Sequence, residues 1–129
     1  SIRRRQRQMC IRDRINPDGA EVISQVASAL SQLVARDSSF MIMVAGYTDN
    51  VPIKNSKYYP TNWHLSASRA MNVVQLLISA GYPPNKVFSA GFGEFQPKVP
   101  NLNTKNRSIN RRVEIVRVPM EKNRFSFDD

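Results

Sequence analysis

The sequence predicts an α/β (α+β) fold in which a mixed β-sheet carries its two main helices on one face. Two long segments have apolar residues at helical spacing, a short apolar run follows each of them, and a third strand-like run near the C terminus alternates apolar with other residues. The order helix–strand–helix–strand–strand predicts that the two helix-linked strands are parallel with a right-handed crossover. The last strand follows a loop and is expected to run antiparallel.

The first helix is predicted over residues 17–36. Asn16 can cap the free N–H groups of its first turn, and Pro17 suits the first helical position. The apolar residues of this segment recur every three or four positions and form one stripe: Val22, Ile23, Val26, Leu30, Leu33 and Val34. The continuous apolar run Phe40–Ala45, followed by Gly46, predicts a first strand that is buried on both faces.

The second helix is expected to begin after Thr61 as its N-cap and to end before Gly81, which suits the C′ position. Its core stripe is predicted to be Trp63, Ala70, Val73, Val74, Leu77 and Ile78. Residues 87–92 are predicted to form the second strand, residues 93–106 an irregular loop, and residues 111–118 the last strand.

The composition is that of one soluble globular domain: 129 residues, of which 41% are hydrophobic and 22% charged. The longest apolar run is far shorter than the ~20 residues of a membrane-spanning helix. No signal peptide is visible, so work outside the cytoplasm would need a targeting segment beyond this sequence. Cys10 is the lone cysteine, which excludes an internal disulfide, and we expect neither a metal nor a cofactor.

The net charge of +9 is concentrated at the N terminus, where residues 1–14 hold six arginines and one aspartate. We interpret residues 1–14 as a non-native or disordered basic tail, residues 15–119 as the domain, and residues 120–129 as a polar C-terminal tail. The alternative for residues 1–14 is a functional arm that binds nucleic acid or anionic lipid.

Catalysis is not expected. His64 is the lone histidine, and no serine lies in a nucleophile-elbow motif. The segment Gly91–Gly93 lacks the further glycine of a dinucleotide fingerprint and does not open a helix. We therefore predict no catalytic residue and a binding module instead of an enzyme.

A charged pair is the best candidate for a binding site. Asp49 follows the first buried strand, at the sheet edge where ligands of open α/β sheets bind. The second helix places one stripe beside it at helical spacing, formed by Asn62, Leu65, Ser66 and Arg69. Asp49 could receive the ammonium and Arg69 the carboxylate of a zwitterionic amino acid, with Thr48, Asn62 and Ser66 as neutral hydrogen-bonding groups. A structural ion pair without a ligand fits the spacing equally well.

Four sequence blocks resemble the OmpA-like peptidoglycan-binding family. The family pattern is G-[HY]-T-D, then N-x-x-L-S-x-x-R-A, G-x-G-E-x-x-P and N-R-R-V-E-I. The chain has Gly46–Asp49, Asn62–Ala70, Gly91–Pro97 and Asn110–Ile115 at these blocks, in the same order.

The resemblance implies binding of the diaminopimelate-bearing stem peptide of peptidoglycan. It assigns Asp49 and Arg69 to the diaminopimelate end and places Asn62, Leu65 and Ser66 along the same cleft. Arg111 and Arg112 match the two arginines of N-R-R. We count Arg111 among the ligand-binding residues, with anchoring of sheet and loop as the alternative for both.

Within the family, Thr48–Ile53 and Asn62–Ser66 resemble MotB-type flagellar stator proteins more than outer-membrane porins or lipoproteins. That resemblance implies a periplasmic domain of a homodimeric protein anchored in the inner membrane, with a MotA-type membrane partner. The alternatives are an OmpA/Pal-type outer-membrane protein that tethers the envelope to peptidoglycan and, less favoured, a basic nucleic-acid-binding module.

The chain departs from the family at its start. Family members have a first strand and an F-x-x-G-x-A-x-[IL] segment before the first helix, whereas only Ile15 onward matches here. We expect the sheet to lack that strand and to expose a neighbouring edge.

Overall fold

The computed structural model describes residues 17–53 and 59–120. These residues form, in chain order, helix α1 (Pro17–Arg36), strand β1 (Phe40–Gly46), helix α2 (Asn62–Ser79), a 3-10 turn (Pro84–Lys86), strand β2 (Val87–Gly91), helix α3 (Thr104–Asn110) and strand β3 (Val113–Pro119). Within the described ranges, no helix has both the length and the apolar character needed to cross a membrane.

The sheet has three strands in the order β2-β1-β3. Strand β1 pairs in parallel with β2, from Ile42 opposite Val87 to Gly46 opposite Gly91. It pairs antiparallel with β3, where Gly46 lies opposite Val113. The mixed sheet and the directions of its strands are therefore as predicted. The prediction of a missing first family strand concerns residues before 17, which lie outside the described part of the chain.

The core lies between the sheet and the two long helices. On β1, Phe40, Ile42 and Val44 are buried with apolar residues of both helices. The intervening residues Met41 and Met43 are only half-buried. The prediction that β1 is buried on both faces is therefore only partly right, because both helices cover the same face of the sheet.

Helix α2 has the termini that its sequence predicts. The Thr61 side chain accepts a hydrogen bond from the backbone N–H of His64 and caps the first turn. At the other end, Gly81 has φ of 106° and donates to the Ile78 carbonyl. Tyr82 donates its N–H to the Leu77 carbonyl, and burial raises the pKa of its hydroxyl.

Three residues of the predicted core stripes are exposed: Leu33, Trp63 and Ile78. The helices are longer than the strands beneath them, since α2 has 18 residues and spans about 27 Å. Strand β2 has five residues and spans about 17 Å. Side chains in the end turns of the helices therefore extend past the sheet.

Helix α3 was not predicted and replaces part of the expected loop 93–106. Its sequence, TKNRSIN, has no apolar stripe from which a helix could be recognised. It is capped by Asn103, whose side chain accepts from the Asn106 N–H at 2.8 Å. Strand β3 consequently begins at Val113, two residues later than expected, and Arg111 and Arg112 lie in the junction between α3 and β3.

Candidate functional site

Two paired glycines bring α2 close to the ends of the parallel strands. Gly46 and Gly91 lie opposite each other at the carboxyl ends of β1 and β2. A Cβ atom at Gly46 would be 2.1 Å from the Ser66 carbonyl oxygen, and one at Gly91 would be 2.7 Å from the Ala67 backbone nitrogen. The first half of α2 therefore rests directly on the strand ends, and its side chains reach the loops that leave the sheet there.

Ser66 links these loops to the helix. It is fully buried, donates its hydroxyl to the Trp63 carbonyl at 3.0 Å and accepts the Gly93 N–H at 2.9 Å. The Gly93 carbonyl in turn accepts the Thr48 N–H at 2.9 Å. The loops after β1 and β2 and the first turns of α2 are thus joined through the Ser66 hydroxyl and the backbone of Gly93.

Asp49 lies in the loop after β1 and is buried. Its Oδ1 accepts the Val51 N–H at 3.0 Å, and its Oδ2 accepts Nη1 of Arg111 at 2.6 Å. The Asp49 and Arg111 side chains are 10% and 32% exposed, so one edge of this ion pair reaches solvent. Asn62 supports the loop from α2, because its Nδ2 lies 3.3 Å from the Val51 carbonyl and 3.4 Å from that of Asp49.

A second arginine stabilises the same loops from inside. The guanidinium of buried Arg112 lies 3.8 Å from the centre of the Tyr47 ring, which stacks on Phe92 at 5.1 Å. Arg112 donates Nη2 to the Gln96 carbonyl at 3.1 Å, and its own carbonyl accepts the Tyr47 N–H. Its Nε is 3.3 Å from a Glu114 oxygen, without hydrogen-bond alignment. Arg112 therefore joins both strand exits to the start of β3.

Helix α3 holds the other side of the site. Asn110 is fully buried; its Oδ1 accepts the Lys98 and Val99 N–H groups, and its Nδ2 donates to the Val99 carbonyl and to the Asn101 side chain. One turn earlier, Nε of Arg107 donates to Oδ1 of Asn50 at 3.3 Å. The loop bearing the Asp49 carboxylate is thus bordered by arginines from α3 and its C-terminal end.

The predicted site residues occupy different depths. Thr48, Asn62 and Ser66 are buried, and their polar groups bind within the protein, which favours a role in holding the loops. Leu65 and Arg69 are half-buried on α2. The contact of both Asp49 and Arg69 with one ligand stays a prediction. Within residues 17–53 and 59–120, no three His, Cys, Asp or Glu side chains come together as a metal site would require.

Comparison with known proteins identifies the family. The OmpA family model matches residues 12–111. The chain belongs to the OmpA family. Motility protein B of Bacillus subtilis is 44% identical over 95 residues, which make up 73% of this chain and 36% of that protein. The chain thus spans about a third of the length of that curated relative.

Two solved structures show the same fold. The periplasmic domain of Helicobacter pylori MotB is 32% identical and superposes with a TM-score of 0.72 over 83% of this chain and 64% of that one. The type VI secretion cell wall anchor of Pseudomonas aeruginosa is 29% identical, with a TM-score of 0.66 over 82% and 69% of the two chains. These comparisons confirm the predicted fold and an OmpA-family peptidoglycan-binding domain similar to MotB. Domains of this family are non-catalytic binding domains, so the prediction that the chain is not an enzyme is also confirmed.

Sequence reasoning did not find several residues that build the site. It gave no role to Tyr47, Phe92 or Asn110, and it left Arg112 as a general anchor. Asn110 stands directly before the two arginines of the N-R-R block, and this position is its only signal in the sequence. Spacing alone does not distinguish it from an ordinary loop asparagine.

Proposed function

We propose that this domain binds the diaminopimelate-bearing stem peptide of peptidoglycan, with Asp49 and Arg69 as its charged contacts. The observation that carries the proposal is the ion pair of buried Asp49 and half-buried Arg111 at the exit of β1, in which Asp49 already accepts hydrogen bonds from Val51 and Arg111. A carboxylate offers about four lone-pair sites, so two remain for a ligand ammonium. Thr48, Asn62, Leu65, Ser66 and Arg111 support or line the cleft in this proposal.

The chemistry of the ligand gives a sharp test of Arg69. Diaminopimelate differs from lysine by a second carboxylate at the end of its side chain, and a guanidinium binds a carboxylate through two parallel hydrogen bonds. The folded domain is expected to bind a stem tripeptide ending in diaminopimelate about ten- to a hundredfold more tightly than the lysine analogue. The variant Arg69→Gln should lose most of that preference.

Asp49 is tested by retention on purified, diaminopimelate-containing sacculi. Asp49→Asn keeps the shape but removes the charge, and it should lower retention by about tenfold or more. Arg36, which is exposed, and Asp37, whose side chain is 47% exposed, supply matched controls, Arg36→Gln and Asp37→Asn, which should bind like the wild type. Wild-type retention by both Asp49→Asn and Arg69→Gln, with the urea midpoints preserved, would disprove this part of the proposal.

The complete protein is proposed to be a MotB-type flagellar stator subunit. The 44% identity to motility protein B supports this assignment. In this proposal the domain lies in the periplasm, the rest of the protein is anchored in the inner membrane, and the protein is a homodimer with a MotA-type membrane partner.

A chimera tests the stator assignment. Residues 15–129 would replace the matching part of Bacillus subtilis motility protein B, and swimming in soft agar would be measured. Motility of the chimera, lost again in its Asp49→Asn version, is the expected result. A chimera that binds sacculi but does not swim would favour the OmpA/Pal-type envelope tether instead. Salt-sensitive DNA binding that disappears on deletion of residues 1–14 would favour the basic nucleic-acid module.

A further inference from the structure

Arg107 borders the binding loops but takes no part in the ion pair with Asp49. It lies on α3 one turn before Arg111, whose backbone N–H donates to the Arg107 carbonyl at 3.1 Å. Residues four apart on a helix have Cβ atoms about 5–6 Å apart and share one face. Because Nη1 of Arg111 lies 2.6 Å from the Asp49 carboxylate, Arg107 is placed about one helical turn from the proposed peptide site.

The Arg107 guanidinium is anchored and still has donors to offer. Its Nε donates to Oδ1 of Asn50, the residue after Asp49, at 3.3 Å. In the part of the chain that the structure describes, Asn50 is the only residue to which this guanidinium donates. The side chain is half-buried, so its charge is screened less than that of a fully exposed arginine. The two Nη nitrogens are therefore available for a ligand.

The charges beside the Asp49 loop do not balance. Arg107 and Arg111 both contact residues 49–50, which carry one carboxylate between them. The segment 95–112 contains five cationic residues and no aspartate or glutamate. The far end of diaminopimelate is a zwitterion without net charge, so its binding leaves this positive excess as it is. A ligand that brings a further carboxylate to Arg107 gains a Coulombic contact that diaminopimelate alone does not make.

The stem peptide carries such a carboxylate next to diaminopimelate. The glutamate that precedes diaminopimelate is linked through its side-chain carboxyl group, so its α-carboxylate stays outside the peptide backbone. About ten covalent bonds, equal to about three residues of backbone, separate this carboxylate from the far end of diaminopimelate and span at most about 11 Å. That reach covers the helical turn between Arg111 and Arg107. A guanidinium binds a carboxylate through two parallel hydrogen bonds, for which Arg107 has both Nη groups.

We propose that Arg107 binds the α-carboxylate of the glutamate that precedes diaminopimelate in the stem peptide. This inference rests on the proposed function, because the diaminopimelate contact at Asp49 fixes where the glutamate lies. It makes Arg107 a specificity-determining residue. A stem peptide in which this carboxylate is amidated keeps its shape but loses the charge, and it therefore binds more weakly.

Calorimetric titration of two stem tetrapeptides tests the role of Arg107. The probes are identical except that the glutamate α-carboxylate is free in one and a carboxamide in the other. A tetrapeptide is used because its diaminopimelate backbone carboxyl group is in a peptide bond and cannot take the place of the glutamate carboxylate. The wild type should bind the free-carboxylate probe about tenfold more tightly, as expected for one charge-assisted contact.

Variants separate a ligand contact from a structural role. Arg107→Gln should bind both probes equally, whereas a loop disturbed by loss of the Asn50 contact would weaken both probes and leave their ratio unchanged. Asn50→Ala removes that contact without removing the charge and should keep the preference. Lys105→Gln is the matched control and should also keep it, because Lys105 is exposed on the same helix and points about 200° away from Arg107.

The outcomes distinguish this inference from the proposed function. Equal affinity of the wild type for both probes would overturn the role of Arg107 while leaving the diaminopimelate site standing. A preference that Arg107→Gln retains would overturn it as well, since another cation would then bind the carboxylate. Failure of the wild type to bind either probe would overturn both proposals.

Discussion

Replacing Gly46 by alanine tests how α2 is seated on the sheet. The added Cβ would be 2.1 Å from the Ser66 carbonyl oxygen and 3.4 Å from the Ala70 side chain. Ordinary contacts between carbon and oxygen are longer by more than about 1 Å. The obstacle is helix backbone, which cannot rotate away as a flexible side chain would, so α2 must move off the strand.

The expected loss of stability is about 3 kcal/mol. Inserting a methyl group into a packed core costs about 1–3 kcal/mol, and a backbone obstacle places this case at the upper end. Moving α2 also loosens its contacts along the strand, where Ala70 and Val73 are fully buried. With an m-value of about 1–2 kcal/mol per M for a domain of this size, the urea midpoint should fall by about 2 M.

Urea unfolding followed by circular dichroism measures this change, with Gly81→Ala as the control. Gly81 has φ of 106°, and nothing lies within 4 Å of its Cβ position. That variant therefore suffers only backbone strain, of about 1–2 kcal/mol. Gly46→Ala should unfold at the lower urea concentration and should also bind sacculi more weakly, because the Ser66–Gly93 bond moves with the helix. A midpoint equal to that of the wild type would refute the close seating of α2.

Three further substitutions probe other contacts. Arg111→Met leaves the Asp49 carboxylate without its cation and should lower the free energy of unfolding in urea by about 1–3 kcal/mol. The loss is smaller than for a fully buried pair because Arg111 is 32% exposed. An unchanged urea midpoint would contradict the pairing. Asn110→Ala removes four hydrogen bonds inside the protein and should cost about 2–4 kcal/mol, with faster amide exchange in residues 98–101 as a local check. Hydrogen bonds from the Ser39 hydroxyl and backbone N–H lower the pKa of the Asp37 carboxyl group. The ionised carboxylate therefore stabilises the folded state at pH values above the unfolded pKa of 3.8, and this stabilisation is lost as the pH falls through the folded pKa. Asp37→Asn should therefore be less stable than the wild type at neutral pH and equally stable in strong acid, and a difference that persists in acid would exclude this cause.

The sequence by itself determined the two long helices, the three strands and one side of the site. Helices α1 and α2 and all three strands follow from apolar periodicity, and the caps of α2 follow from Thr61 and Gly81. Local spacing also placed Asn62, Ser66 and Arg69 on one stripe of α2. These features depend on residues within a few positions of each other, so their pattern can be recognised along the chain.

The tertiary structure decided which distant groups meet. Arg111 reaches Asp49 across 62 residues of sequence, and Arg112 is buried on Tyr47, although the two arginines are adjacent and chemically identical. Their different roles arise because α3 and the start of β3 turn one side chain outward to the loop and the other inward between the strand exits. The exposure of Trp63 likewise depends on where the sheet ends beneath α2. The relative lengths of the packed elements set that end point, so the apolar periodicity of α2 cannot predict it.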